Sequence, residues 1–394
     1  MFKTASDAIQ FIESRIVKSS FKSYQEKLKK YAIDTNFTRF IHVTGTNGKG
    51  STVNYLSHLL QQAHFRVGTF TSPYMVSYHD RICINDKPIS DEDLLEIVNQ
   101  YYEMINNENL SKFEIDVLIM LVYFKKKKID YGIIEVGIGG LNDKTNVIHS
   151  IMSLITNVGY DHMPSLGTTL QEVCRQKAGI IKENSIALTT VQELDLLNII
   201  SKVSNEKKAQ MIQVVLPKVN QFPIQFNYLG YQINLNNQAL YQINNFSLAL
   251  SALKLLEVPL TQEQVNDAIK HSLWPGRFEI INDRVIIDGA HNINGIEALC
   301  KTLKAKNEPF TIIFSALRDK DYPLMIEKLS QHYLVYLTVF EDERQIDLDL
   351  LKGYPYVFKN FQDAYQSALA LDQKIIFTGS LHFISEVRRF FKTS

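Results

Sequence analysis

The residues Ile41-His42-Val43-Thr44-Gly45-Thr46-Asn47-Gly48-Lys49-Gly50-Ser51 run an apolar strand into a glycine-rich turn that carries one lysine and one hydroxyl. Gly45, Gly48 and Gly50 accept backbone angles closed to other residues, so successive N–H groups are expected to point inward at an anion. Lys49 adds a point charge for outer phosphates, Ser51 a hydroxyl suited to Mg²⁺, and the helix beginning near Ser51 its positive N-terminal end. That helix follows from Val53, Leu56, Leu60 and Ala63, which fall on one face at helical spacing. The bland alternative is a glycine-rich β-turn with no ligand. Strand, glycines, lysine, hydroxyl and helix in the required order favour a nucleotide loop for ATP, formed by Gly45, Thr46, Asn47, Gly48, Lys49, Gly50 and Ser51. The loop is a variant, because Gly50 separates the lysine from the hydroxyl and the first glycine lies only three places before the second.

Two further strand ends carry polar groups. Glu135 closes Tyr131-Gly132-Ile133-Ile134 and precedes Val136-Gly137-Ile138-Gly139-Gly140, where a carboxylate would meet the Mg²⁺ of a bound nucleotide. Taken alone, such a glutamate is more often a solvated acid or an ion-pair partner. Ile155-Thr156-Asn157-Val158-Gly159-Tyr160-Asp161-His162 again delivers polar residues into a loop. Imidazole is an uncommon ligand for hard Mg²⁺, and a lone Asp-His pair is usually a hydrogen-bonded turn.

These groups must be held by a scaffold, and the length of 394 residues accommodates two or three domains. With 45% hydrophobic and 21% charged residues the composition is that of a globular protein. Lys+Arg and Asp+Glu balance at 42 each, so no global field draws in nucleic acid or an anionic membrane. The basic run Lys125 to Lys128 ends an apolar helix over residues 113–124, where cations complement the helix dipole; a functional patch is the other reading. Cys83, Cys174 and Cys300 show no disulfide or metal spacing and read as reduced thiols. Residues 1–20 read as an amphipathic helix rather than a signal peptide, and the longest apolar run is too short to span a bilayer. The expected setting is the cytoplasm, with no nucleic-acid or membrane partner and a monomeric state.

Strands at 40–43, 132–136 and 153–157 alternate with helices at 51–64, 113–124 and 169–182, which argues a mostly parallel sheet covered on both faces. A hairpin over 226–235 and helices over 243–256 and 261–273 follow. Trp274-Pro275-Gly276 breaks the helical pattern, and the domain boundary is expected there. Beyond it, strands at 285–288, 310–314, 334–340 and 374–378 alternate with helices. The expected fold is therefore α/β with two doubly wound domains: a P-loop-type ATPase domain over 1–274 and a smaller Rossmann-like domain over 275–394.

Gly45-Thr46-Asn47-Gly48-Lys49-Gly50-Ser51 resembles the nucleotide loop of the Mur ligase superfamily, above all its folylpolyglutamate synthase and dihydrofolate synthase branch. Further segments recur in family order. Thr71-Ser72-Pro73 resembles a loop whose serine contacts Mg²⁺, and Phe113-Glu114 a pair opening a helix of the first domain. Glu135 and His162 match the family's remaining magnesium ligands, and Lys177 its carbamylated lysine, which helps hold a second metal ion; a plain helix lysine is the alternative. Gln242 and Asn245 match residues near the nucleotide, the asparagine beside the adenine. Trp274-Pro275-Gly276-Arg277 matches a linker whose arginine reaches the ATP phosphates. Asp288-Gly289-Ala290-His291-Asn292 resembles a segment bringing an acid and a histidine to the nucleotide. Asp319-Lys320-Asp321 and Thr378-Gly379-Ser380 resemble two later landmarks.

The resemblance implies ATP-dependent glutamate ligation to a reduced folate, with Lys49, Lys177, His162 and Arg277 as catalytic residues. Its metal set would be Ser51, Ser72, Glu135, His162 and Lys177, serving two Mg²⁺ ions. An acyl phosphate would form on the folate carboxylate and then be attacked by the amine of L-glutamate, with water excluded by domain closure. Dihydropteroate is the alternative acceptor, through a dedicated or bifunctional dihydrofolate synthase activity. A peptidoglycan-type ligase fits the motifs less well, and a regulatory nucleotide binder without ligase activity is opposed by retention of the metal and phosphate residues. Departures from the family pattern include Leu141 for an arginine, Tyr74 for a histidine, Tyr241 for a histidine and His382 for a tyrosine. The first two imply polar groups lost from loops near the pterin.

Overall fold

The computed structural model describes residues 1–74, 77–161 and 165–393. By its internal contacts the chain divides into two units, one of Met1–Leu216 with Asn245–Ser272, the other of Pro217–Asn244 with Leu273–Ser394. The expected boundary near Trp274 left the stretch before Asn245 in the first domain, and here the structure differs. Leu240 N donates to Thr302 Oγ1 at 3.1 Å, Ala239 joins the apolar core of the second unit, and the Lys306 ammonium lies 4.1 Å from the centroid of the Phe222 ring. Contacts made far along the chain decide the grouping, and local sequence pattern does not register them.

In the first unit the sheet contains β1 (Arg39–Thr44), β2 (Val67–Phe70), β3 (Ile82–Ile84), β4 (Lys87–Pro88), β5 (Tyr131–Glu135), β6 (Ser150–Ile155), β7 (Ile186–Thr189) and β8 (Gln210–Gln213). Their order is β4-β3-β2-β5-β1-β6-β7-β8. From β2 through β8 neighbouring strands pair parallel, and β3 and β4 add an antiparallel edge. β5 is buried along its whole length, as expected where helices cover both faces of a parallel sheet.

Caps fix the helix limits. Ser111 and Glu114 form a reciprocal capping box at the start of Lys112–Lys127, and Lys128 ends that helix in the left-handed region. The basic run at its end is ion-paired: Lys125 with Asp34, Lys126 with Asp93 and Glu96, and Lys127 with Asp93. Of the helix expected over residues 1–20 only Ala5–Glu13 forms, started by the Thr4 cap, and a separate helix, Phe21–Lys30, starts beyond it at the Ser20 cap. The helix expected over 169–182 spans only Leu170–Ala178, with Gly179 as its C-cap. Among the described residues no helix is long and apolar enough to cross a membrane.

The second unit contains a hairpin, β9 (Gln225–Tyr228) with β10 (Tyr231–Asn234), and a sheet of β11 (Glu279–Ile280), β12 (Val285–Ile287), β13 (Phe310–Phe314), β14 (Leu334–Leu337) and β15 (Lys374–Thr378). The sheet order is β11-β12-β15-β13-β14, parallel except for the edge pair β11 and β12. Both units are thus of the α/β class.

Packing in the first unit leaves two strand positions without room for a side chain. Gly68 of β2 pairs in register with Gly132 of β5. A Cβ on Gly68 would lie 2.7 Å from Ile129 Cδ1, and one on Gly132 2.6 Å from the ring of Phe40, which is fully buried. Gly132→Ala is therefore expected to cost about 1–3 kcal/mol of stability through overpacking, measured by urea unfolding. An unchanged midpoint would contradict this account of the sheet.

Candidate active site

β1 and β6 are neighbours with Thr44 opposite Ile155, so the loops leaving their carboxyl ends run side by side. The second loop clamps the first. Thr156 N donates to Thr44 O at 2.9 Å, and Thr156 Oγ1 to Asn47 O at 2.6 Å. Asn157 Oδ1 accepts from Thr46 N at 3.1 Å and Asn47 N at 2.9 Å. Thr46 Oγ1 donates to Gly159 O and accepts from Gly159 N, at 3.0 and 2.9 Å. The approach is close enough that a Cβ on Gly45 would lie 1.7 Å from Thr156 Oγ1, and one on Gly48 2.3 Å from Asn245 Oδ1. Gly48 also takes φ +86°, a left-handed angle that glycine adopts without strain.

This clamp changes one expectation. The N–H groups of Thr46 and Asn47, expected to face an anion, are taken by Asn157. The helix Lys49–Gln62 begins at Gly48 without a side-chain cap, and a helix start presents its positive end.

Lys49 folds back over the loop. Its Nζ donates to Gly45 O at 3.2 Å and Thr46 O at 3.4 Å, and lies 3.9 Å from Glu135 Oε1. Glu135 enters from β5, where its neighbour in register is Val43, and Glu135 Oε2 accepts from Ser72 N at 3.3 Å. Lys49, Glu135 and Ser72 are thereby brought together. Ser51 is buried in the first turn of the same helix as Lys49.

Lys177 is buried on the helix Leu170–Ala178, and its amine is pushed down to about 7, first by burial and next by the charge of Lys49, with Asp161 acting in the opposite sense. An amine held there offers far more of the neutral nucleophile that reacts with CO₂ than an ordinary lysine does near neutral pH. Glu135, Ser51 and Ser72 are oxygen donors, the type a hard divalent cation takes, and a carbamate on Lys177 would add another. His162 lies outside the described residues. Among the described residues no three His, Cys, Asp or Glu side chains gather as a metal site.

The loop after β5 is built around Asp143. Its Oδ2 accepts from Ile138 N at 2.9 Å and its Oδ1 from Thr145 N at 2.9 Å, while His42 Nε2 meets Thr145 Oγ1 at 2.8 Å. Burial raises the Asp143 carboxyl above its ordinary value against those hydrogen bonds, and burial holds the His42 ring well below its own. Leu141, where the resemblance has an arginine, is 46% exposed. Tyr74, where the resemblance has a histidine, donates its hydroxyl to Glu13 at 2.8 Å, and its ring lies under the Arg81 guanidinium.

In the second unit, Asp288 and His291 follow β12. Asp288 Oδ2 accepts from Tyr241 Oη at 2.5 Å and Phe278 N at 3.0 Å, and Oδ1 from Ala290 N at 2.9 Å. Burial raises the Asp288 carboxyl against those bonds and the nearby charge of Arg277. Tyr241, a departure from the family pattern, thus holds this acid. His291 Nδ1 lies 2.8 Å from Gly289 O, and Arg277 packs where a Cβ on Gly289 would stand. His382 bonds Asp342 and Arg344. The sequence reading missed Thr156 and Asn157 as clamps and Tyr241 as the partner of Asp288. The only signal for the clamps was polar residues at a strand end.

Comparison with known proteins adds family relationships. Residues 43–253 match the model of the Mur ligase middle domain, and residues 276–381 that of the Mur ligase glutamate ligase domain. The chain is 31% identical over 427 residues to the dihydrofolate synthase/folylpolyglutamate synthase of Bacillus subtilis (strain 168), covering 99% of each chain. It is 33% identical over 384 residues to the folylpolyglutamate synthase of Lacticaseibacillus casei, covering 89% of each. A solved FPGS–AMPPCP–folate complex has a TM-score of 0.87 to this chain at 29% identity, covering 98% of this chain and 99% of that one.

Removing the clamp has a local signature. In Asn157→Ala the amide hydrogen of Asn47 is expected to exchange at least about tenfold faster, with a stability loss of about 1 kcal/mol, while that of Thr46, which also donates to the Asn157 backbone carbonyl at 3.2 Å, keeps a partner. Hydrogen exchange read at Asn47 checks it, and an unchanged rate there would remove the Asn157 side chain from the clamp.

Proposed function

Because the chain belongs to the dihydrofolate synthase/folylpolyglutamate synthase family of Mur ligases, we propose that it joins the amine of L-glutamate to the carboxylate of a reduced folate at the cost of ATP. The observation that carries this reading is the gathering of Lys49, Glu135 and Ser72 beside an uncapped helix start, with the Lys177 amine, lowered to about 7, within electrostatic reach. A relative has been solved with AMPPCP, an ATP analogue, together with folate.

The chemistry follows from charge. The start of Lys49–Gln62 and the Lys49 ammonium receive the ATP phosphates, and Lys49 offsets the charge that develops as the γ-phosphoryl group moves. The folate carboxylate attacks that group, giving an acyl phosphate and ADP. The glutamate amine then adds to the acyl carbon, and the tetrahedral adduct expels phosphate to leave an amide. Glu135, Ser51 and Ser72, with His162, are the proposed holders of Mg²⁺, which supplies positive charge against the triphosphate when bound. Lys177 as a carbamate is the proposed carboxylate-like ligand of a second such ion. Asn245 is a proposed adenine-side residue, and Arg277, Asp288 and His291 are proposed nucleotide-side residues of the second unit.

The acceptor preference follows from the loop after β5. Leu141 offers that loop a hydrocarbon side chain where the family pattern has a guanidinium, so an acceptor held chiefly through its pterin loses more than one that also presents glutamate carboxylates. Glutamate addition to an already glutamylated tetrahydrofolate is expected to exceed synthesis from dihydropteroate by at least about tenfold in kcat/KM, or about 1.4 kcal/mol of transition-state preference. Mass spectrometry of products from ATP, glutamate and each acceptor measures this. Equal or higher efficiency with dihydropteroate would reverse the order in favour of dihydrofolate synthesis, and no product with either would defeat the ligase reading.

A further inference from the structure

Lys182 lies beyond the helix that carries Lys177 and is mostly buried; burial, reinforced by the charge of Lys207, pushes its amine down to about 8. A lysine is costly to bury, and this one is spent on a single residue across the fold. Its Nζ donates to Asn146 O at 2.8 Å and to Asn146 Oδ1 at 2.7 Å. Asn146 in turn uses both hydrogens of its side-chain amide. Asn146 Nδ2 donates to Leu141 O at 3.0 Å and to Gly179 O at 3.2 Å.

Those two carbonyls belong to different segments. Leu141 ends the glycine loop that follows β5, and Gly179 is the C-cap of the helix bearing Lys177. The segments are otherwise pressed together: Leu141 N donates to Gln176 O at 2.7 Å, and a Cβ on Gly140 would lie 2.6 Å from Gln176 O and 3.0 Å from Lys177 O. Asn146 therefore ties the loop to the turn that sets the direction of Lys177.

The ammonium decides which way the Asn146 amide faces. An asparagine amide has one accepting and one donating end of nearly the same shape. With Lys182 on the oxygen, the nitrogen faces both carbonyls; turned over, the oxygen would face two carbonyl oxygens and the nitrogen an ammonium. A charged donor on Oδ1 also polarises the amide and strengthens the bonds its N–H groups make.

We propose that Lys182, acting through Asn146, is a positioning residue for the ligation reaction, holding the end of the Lys177 helix against the loop after β5. The inference rests on the reading that Lys177 serves the reaction. It adds a role for a lysine whose ammonium is bonded to Asn146.

The test compares Lys182→Met and Lys182→Arg in the full chain, alone and combined with Lys177→Ala, reading kcat, KM for ATP, single-turnover phosphate release and thermal unfolding. Lys182→Met is expected to lose roughly tenfold in kcat with KM for ATP changed by less than about twofold, and Lys182→Arg to recover most of the loss. In the Lys177→Ala background, where the residue being positioned is gone, the same substitution is expected to lower the residual rate by less than about twofold. A Lys182→Met kcat within about twofold of the parent, or a tenfold loss common to both backgrounds, would overturn the positioning role while leaving Lys177 in place. A fully active Lys177→Ala would overturn the reading beneath it and the proposal with it. If Lys182→Met does not fold, Asn146→Ala takes its place in every comparison, with the same expected and overturning results.

Discussion

The constraint on which the site depends is the approach of two backbones at the carboxyl ends of β1 and β6. Thr156 Oγ1 occupies the place where any Cβ on Gly45 would stand, and Asn157 takes the N–H groups of Thr46 and Asn47. With the loop fixed in this way, the helix Lys49–Gln62 starts at a defined point, and Lys49 is anchored on Gly45 O and Thr46 O. Glu135 reaches the same place from the other side of β1, because Val43 and Glu135 are opposite in the sheet. Strand order, more than any single motif, makes these residues a site.

Burial then does electrostatic work. Lys177 and Lys182 in the first unit are largely taken out of water, and burial pushes both amines down, Lys177 to about 7 and Lys182 to about 8. The first lowering makes a primary amine reactive near neutral pH, and Lys49 contributes to it through its charge. The second accompanies a structural bond to Asn146. Burial acts in the opposite direction on the acids, raising Asp143 and Asp288, each of which is held by hydrogen bonds from backbone N–H groups and a hydroxyl. In both units a buried acid in the loop that follows a strand organises that loop.

Much of this was legible in the sequence, and for physical reasons. The loop from Gly45 to Ser51, the strand ending at Glu135 and the alternation of strands and helices depend on local residue order, which periodicity and glycine placement report directly. The N-terminal break at Ser14–Ser20 and the end of the Lys177 helix at Gly179 depended on caps and on a distant asparagine. The grouping of Pro217–Asn244 with the second unit depended on contacts with Thr302 and Lys306, far along the chain. Asn157, Lys182 and Tyr241 were silent because each acts on a partner tens of residues away, and a sequence does not state which strands will be neighbours. Tyr74 is a further case, its hydroxyl bonding Glu13 far back along the chain.

The central claim is that the clamped loop receives the phosphates of ATP and that Lys49 acts on the group being transferred. Single-turnover formation of the glutamyl product by Lys49→Ala, with its fold verified by circular dichroism, tests it most directly. The account predicts a fall of at least about a hundredfold in that rate, the scale of losing one preorganised charge at a developing anion. A correctly folded Lys49→Ala enzyme that ligates glutamate at a near-native rate would contradict it.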